Sequence, residues 1–98
     1  MKYFLIQITY VQPIEVVESH TPAHRAYLRT QYDAGILLFS GPRVPRTGGY
    51  LFGRAEDKSV IEKMVASDPF HTTGTANYEI IEIAPTIWAE QLKSIFEQ

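Results

Sequence analysis

His24 is the side chain in this sequence best suited to moving a proton near neutral pH. It follows Thr21-Pro22, a hydroxyl and a proline that together read as the start of a helix. In that place it is either a proton-transfer group or an imidazole packed at a helix start. Asp68 stands before Pro69, which steers it away from helical angles. There its carboxylate can turn back onto neighbouring amides or be held rigidly to orient and charge a histidine. Ser40 ends a strand beside Gly41-Pro42 and offers a hydroxyl to a ligand oxygen or to its own strand end. Arg43 and Arg46 flank Val44-Pro45 in the following loop, where they serve solubility or draw in an anion. His20 and His24 have the i, i+4 spacing of a metal pair, but Pro22 lies between them and no third ligand is near, so no metal is expected. There is no nucleophile-elbow motif and no phosphate-binding glycine loop.

These groups must be carried by a chain of 98 residues, the length of one domain spanning 1–98. Such a chain buries only about 60–65% of its unfolded surface. With 45% apolar residues, it has more to hide than a lone small core accommodates, which suggests self-association. Cysteine is absent, so disulfides, thiolate metal sites and a cysteine nucleophile are excluded. Nine basic and eleven acidic residues are scattered without a basic block, which argues against nucleic-acid binding. No stretch approaches the roughly 20 apolar residues that span a bilayer, so a cytoplasmic protein without membrane attachment is expected.

Tyr3 to Tyr10 alternate as a strand, with Phe4, Ile6, Ile8 and Tyr10 on one face. A helix is predicted from Pro22 to about Ala34, with Ala26, Leu28 and Tyr32 in its apolar stripe and Gly35 ending it. Ile36 to Ser40 reads as a second strand stopped by Gly41-Pro42. Gly48-Gly49 reads as a turn, and Tyr50 to Ala55 as a third strand. A second helix opens near Glu56 to Ser59 and ends at Ser67-Asp68-Pro69-Phe70. A polar loop at 71–75 precedes a fourth strand through Tyr78, Ile80, Ile81 and Ile83. A last helix is predicted from about Ile87 to Phe96, within a C-terminal extension of residues 87–98. The order is βαββαβ plus a helix, an α+β ferredoxin-like pattern with helices on one sheet face and the other left bare. A second copy is expected to cover that face, giving a homodimer.

Pro22-Ala23-His24, Tyr32-Asp33-Ala34-Gly35, Ser40-Gly41-Pro42, Asp68-Pro69-Phe70 and Tyr78-Glu79-Ile80, in that order, resemble the YCII-related family over about residues 1–88. The resemblance implies ferredoxin-like subunits pairing as a dimeric α/β barrel. One member type removes chloride from a chlorinated trihydroxybenzene, with a histidine and an aspartate as the active pair. Carried over, these fall on His24 and on Asp68 or Asp33. Asp33 is nine residues beyond His24, a net half turn and about 13 Å along a continuous helix, so the two point to opposite sides. Asp68 is therefore the expected partner, and Asp33 is left to act across a dimer or to be solvated. Ser40, Asp33, Pro42, Phe70 and Arg43 are the expected substrate contacts.

The leading expectation is a small cofactor-independent enzyme doing acid–base chemistry, an elimination or isomerisation, on a small and partly aromatic molecule. The alternatives are a non-catalytic small-molecule binding or regulatory dimer, and a monooxygenase of the same barrel shape.

Overall fold

A computed structural model describes residues 1–97. The first strand, β1 (Lys2–Tyr10), is central. Its alternation sends Phe4, Ile6 and Ile8 to one face, where all three are buried. β2 (Leu37–Pro42), β3 (Gly48–Ala55) and β4 (Ala76–Ile83) complete an antiparallel sheet in the order β2-β3-β1-β4. Register places Ile6 between Leu51 of β3 and Ile80 of β4. Val17 and Leu28 from α1 (Ile14–Asp33) join this layer, as do Ile61, Met64 and Val65 from α2 (Lys58–Ser67). Phe70, from the short α3 (Pro69–Thr72), closes the same cluster. The connection order is that of the ferredoxin-like fold.

Helix α1 begins eight residues before the expected Pro22. Pro22 sits inside it, on the exposed side, where water can reach the carbonyl that a proline leaves unbonded. The earlier start resets the buried stripe to Val17, His24 and Leu28, with Ala26 exposed. His20 is consequently helical, four residues from His24. Among the described residues no group of three histidine, cysteine or acidic side chains could hold a metal ion. Gly35 ends α1 at φ +77°, with Gly35 N–H on Tyr32 O and Ile36 N–H on Gln31 O, the paired bonds of a Schellman cap.

Gly41-Pro42 and Gly48-Gly49 do not break the sheet as expected; they lie within β2 and β3. β2 is an edge strand, so Pro42 interrupts no inner ladder. A side chain at Gly48 would collide with the Ile8 carbonyl and the Arg43 guanidinium. That close approach lets Arg43 Nη2 donate to Ile8 O at 2.9 Å, Thr9 Oγ1 at 3.1 Å and Thr47 O at 3.3 Å, stapling the β2–β3 hairpin to β1.

Residues 71–72 of the expected polar loop belong to α3. The expected terminal helix is also shorter. Residues 84–89 carry no regular secondary structure, a 3-10 turn spans Glu90–Leu92, and α4 covers only Lys93–Phe96. This segment is held by a few anchors on the sheet face away from the other helices, not by a long apolar stripe. Phe96 packs edge-on against Tyr3 at 4.9 Å, and the Tyr3 hydroxyl donates to Ile95 O at 2.6 Å. Phe52 stacks between Tyr3 and Phe39 on that face, and Phe39 remains 59% exposed. Gln98, the end of the expected extension, lies outside the described residues. No described helix is long and apolar enough to cross a membrane.

Candidate functional site

The site begins where α2 ends. Asp68 N–H bonds to Val65 O, and the backbone turns extended at φ −67° and ψ 130°, as a residue before proline must. Pro69 opens α3 and Asp68 is its N-cap, with Oδ1 accepting the Phe70 N–H at 3.0 Å. The same Oδ1 lies 2.7 Å from His24 Nδ1. The turn and the charge partner, set as alternatives in the sequence, are thus performed by one oxygen.

Asp68 is 1% exposed and His24 8%. A carboxylate accepts, so Nδ1 carries the proton in this bond and Nε2 is the ring's other working atom. Nε2 bonds to no described residue. The Phe70 ring lies flat on the imidazole at 3.9 Å and 10° between planes, fixing its orientation from one face. Three consecutive residues, Asp68-Pro69-Phe70, therefore hold His24 by its edge and its face.

In front of His24 is a cavity of about 230 Å³. Ile8, Leu28, Leu51 and Phe70 supply apolar wall, and Ser40, Pro42 and Gly49 lie at the strand ends. Tyr32 donates to Ser40 Oγ at 2.6 Å, which leaves the Ser40 proton free to donate in turn. Arg25 and Arg46 also line the cavity. His24, Ser40, Pro42 and Phe70 are thus brought to one space, and Asp68 stands behind His24. Asp33 is exposed in the last turn of α1 and does not line the cavity. Arg43 does not line it either, because its guanidinium is engaged in the hairpin staple.

Tyr78 is a member of the site that sequence reasoning passed over. It pairs with Ile8 across β1–β4, on the core face. Its hydroxyl and Asp68 Oδ2 are both buried, and neither completes a hydrogen bond to a described residue. They form a loose pair: burial raises the Tyr78 pKa above the ordinary phenol value, and the nearby Asp68 carboxylate raises it further. Tyr27 is pushed the same way by burial and then by Asp68, while its hydroxyl donates to Met64 O at 2.7 Å. The signal available in the sequence was a tyrosine in phase with Ala76 and Ile80 on a core-facing strand row.

A four-stranded ferredoxin-like sheet with a buried histidine–aspartate pair at its helical layer defines a class of small α+β proteins. Residues 1–84 match the YCII-related domain, and the chain belongs to that family. Among solved structures it is similar to the 5-chloro-2-hydroxyhydroquinone dehydrochlorinase (TftG) of Burkholderia phenoliruptrix, solved in complex with 2,5-dihydroxybenzoquinone. The two share 24% sequence identity over 86% of this chain and 93% of that one, with a TM-score of 0.69, a likeness of fold. No curated protein matches the sequence.

Proposed function

We propose that the protein is a cofactor-independent acid–base enzyme acting on a small cyclic molecule, with His24 as the proton-transfer group. The observation that carries this reading is the buried His24–Asp68 pair, with Nδ1 held at 2.7 Å and the imidazole lining the cavity. Asp68 fixes the tautomer and stabilises the imidazolium that forms when Nε2 takes a proton. In an isomerisation, the same nitrogen returns that proton to another substrate atom. In an elimination, the electron pair released by deprotonation expels a leaving group instead. Proton transfer of this kind needs no metal or organic cofactor. The quinone bound by the similar dehydrochlorinase supports a one-ring substrate here.

The test is a panel of chlorinated di- and trihydroxybenzenes, followed by chloride release and by deuterium uptake from solvent. The wild-type protein is expected to turn over at least one, and His24→Gln to lose about 10²–10⁴ of the rate. No turnover across the panel, or a fully active His24→Gln, overturns the assignment. The second reading is a non-catalytic binding dimer, favoured by the cap that Asp68 Oδ1 makes with Phe70 N–H, a structural use for the same atom.

We also propose that the protein works as a homodimer through the sheet face carrying Phe39, Phe52 and Ile81. Support comes from the exposure of Phe39 and Ile81, large apolar side chains on the side away from the helices. Sedimentation at micromolar concentration is expected to give twice the chain mass; a monomer throughout removes the dimer.

A further inference from the structure

The cavity in front of His24 has charged groups of only one sign. Among its lining residues are Arg25 and Arg46 and no aspartate or glutamate. Asp68, the nearest buried carboxylate, stands behind the imidazole and does not face the space. Among the described residues neither arginine forms an ion pair. Both arginines are exposed, so they stand where the cavity opens to solvent.

Arg46 is also held in place. Its Nη2 donates to Thr21 Oγ1 at 3.1 Å and its Nε to the Tyr10 hydroxyl at 3.4 Å. The guanidinium lies 6.0 Å from the centre of the Tyr10 ring. Thr21 is itself fixed, since its hydroxyl donates to Val17 O at 2.7 Å within α1. These struts use the Nε–Nη2 edge of the planar fork, and Nη1 bonds to no described residue. A guanidinium presented edge-on matches the paired oxygens of a carboxylate or of an ionised ring diol. Leu28, Leu51 and the Phe70 ring supply apolar lining to the same cavity. Drug-sized ligands occupy pockets of about 300–1,000 Å³, so a cavity of about 230 Å³ suits one ring.

We propose that Arg46, assisted by Arg25, makes this a site for small one-ring anions, with the charged group on the arginine edge and the ring between apolar walls. This deepens the acid–base reading and rests on it for the orientation of the ring towards His24. It names what that reading leaves open, the charge of the substrate. Arg46 is thereby the specificity-determining residue, and His24 the proton-transfer group.

The test uses 4-hydroxybenzoate and its neutral counterpart 4-hydroxybenzamide, compared by titration calorimetry at neutral pH. The carboxylate is expected to bind at least about tenfold more tightly than the amide, the discrimination of one charge-assisted contact. Arg46→Gln is expected to erase that preference. Thr21→Val, which removes a strut and keeps the charge, is expected to weaken carboxylate binding by about threefold, in the range of a single neutral hydrogen bond. Equal affinity for the two probes, a preference that survives in Arg46→Gln, or no saturable carboxylate binding up to about 10 mM, overturns the proposal. The acid–base reading stands or falls separately, on turnover by His24→Gln. A preference for the anion with no proton transfer would retain this site and remove the enzyme.

Discussion

Asp68→Ala is expected to lower the unfolding free energy by about 2–4 kcal/mol, far more than its size suggests. Two losses combine in it. Removal of the N-cap acceptor leaves the Phe70 N–H unpaired, a loss typically of about 1 kcal/mol. Removal of the charged partner leaves His24 Nδ1 without an acceptor in a buried place, at about 1.5–3 kcal/mol. Part of this is offset, because Asp68 Oδ2 is buried without a hydrogen bond and its desolvation is relieved. At about 4–8 °C per kcal/mol for a domain of this length, the melting temperature should fall by roughly 8–32 °C. Asp68→Asn separates the two roles. Its amide oxygen can still accept from Phe70 and from His24, so it should keep the cap and lose chiefly the charge, at about 1 kcal/mol. Urea unfolding of the three proteins at neutral pH measures both values. An alanine variant within about 0.5 kcal/mol of wild type would show that neither bond supports the fold.

The second large effect is at alkaline pH. Burial and the Asp68 carboxylate both hold the Tyr78 phenol neutral in the folded protein. In the unfolded chain a tyrosine gives up its proton near pH 10. Above that pH the unfolded state binds fewer protons than the folded one, so stability falls as pH rises. The contribution of Tyr78 is therefore fully present below about pH 10 and is lost upward from there, towards its raised folded pKa. The slope approaches about 1.4 kcal/mol per pH unit for this one group. Tyr27 acts in the same direction, with its pKa raised as well. Tyr78→Phe removes the Tyr78 share. The stability difference between wild type and Tyr78→Phe should shift by about 1 kcal/mol, against wild type, between pH 10 and pH 11. Parallel curves across that range would mean that the hydroxyl ionises freely while folded.

The element order was legible because each strand carries its own alternation. Phe4, Ile6 and Ile8 read as a buried row and are one. The resemblance implied a pairing of His24 with Asp68 or Asp33, and helix geometry then set Asp33 apart. The start of α1 was not legible. Thr21-Pro22 is a sound start signal, and only packing of Val17 against the sheet shows that the helix is already under way. Gly48 and Gly49 misled for a related reason. A glycine pair marks a turn in isolation, whereas here it makes room for Arg43 and for the β2 backbone. Arg43 and Arg46 looked equivalent in the loop. Their difference is set by hydrogen-bond partners 34 to 36 residues away in β1, which no local pattern encodes.

Asp68 Oδ1 serves the helix and the histidine at once. In a lineage that stopped using the chemistry, selection for folding alone would retain the aspartate, and with it the imidazole it holds. A descendant could keep the pair intact long after its activity had decayed. Arg46 is different: its bonds are to two side chains at the cavity rim, on a loop that Arg43 already secures. Drift there would be unopposed by stability. On the anion-site proposal, an arginine at position 46 is accordingly the sharper marker of a working site across relatives of this chain, and the histidine–aspartate pair the marker of a shared fold.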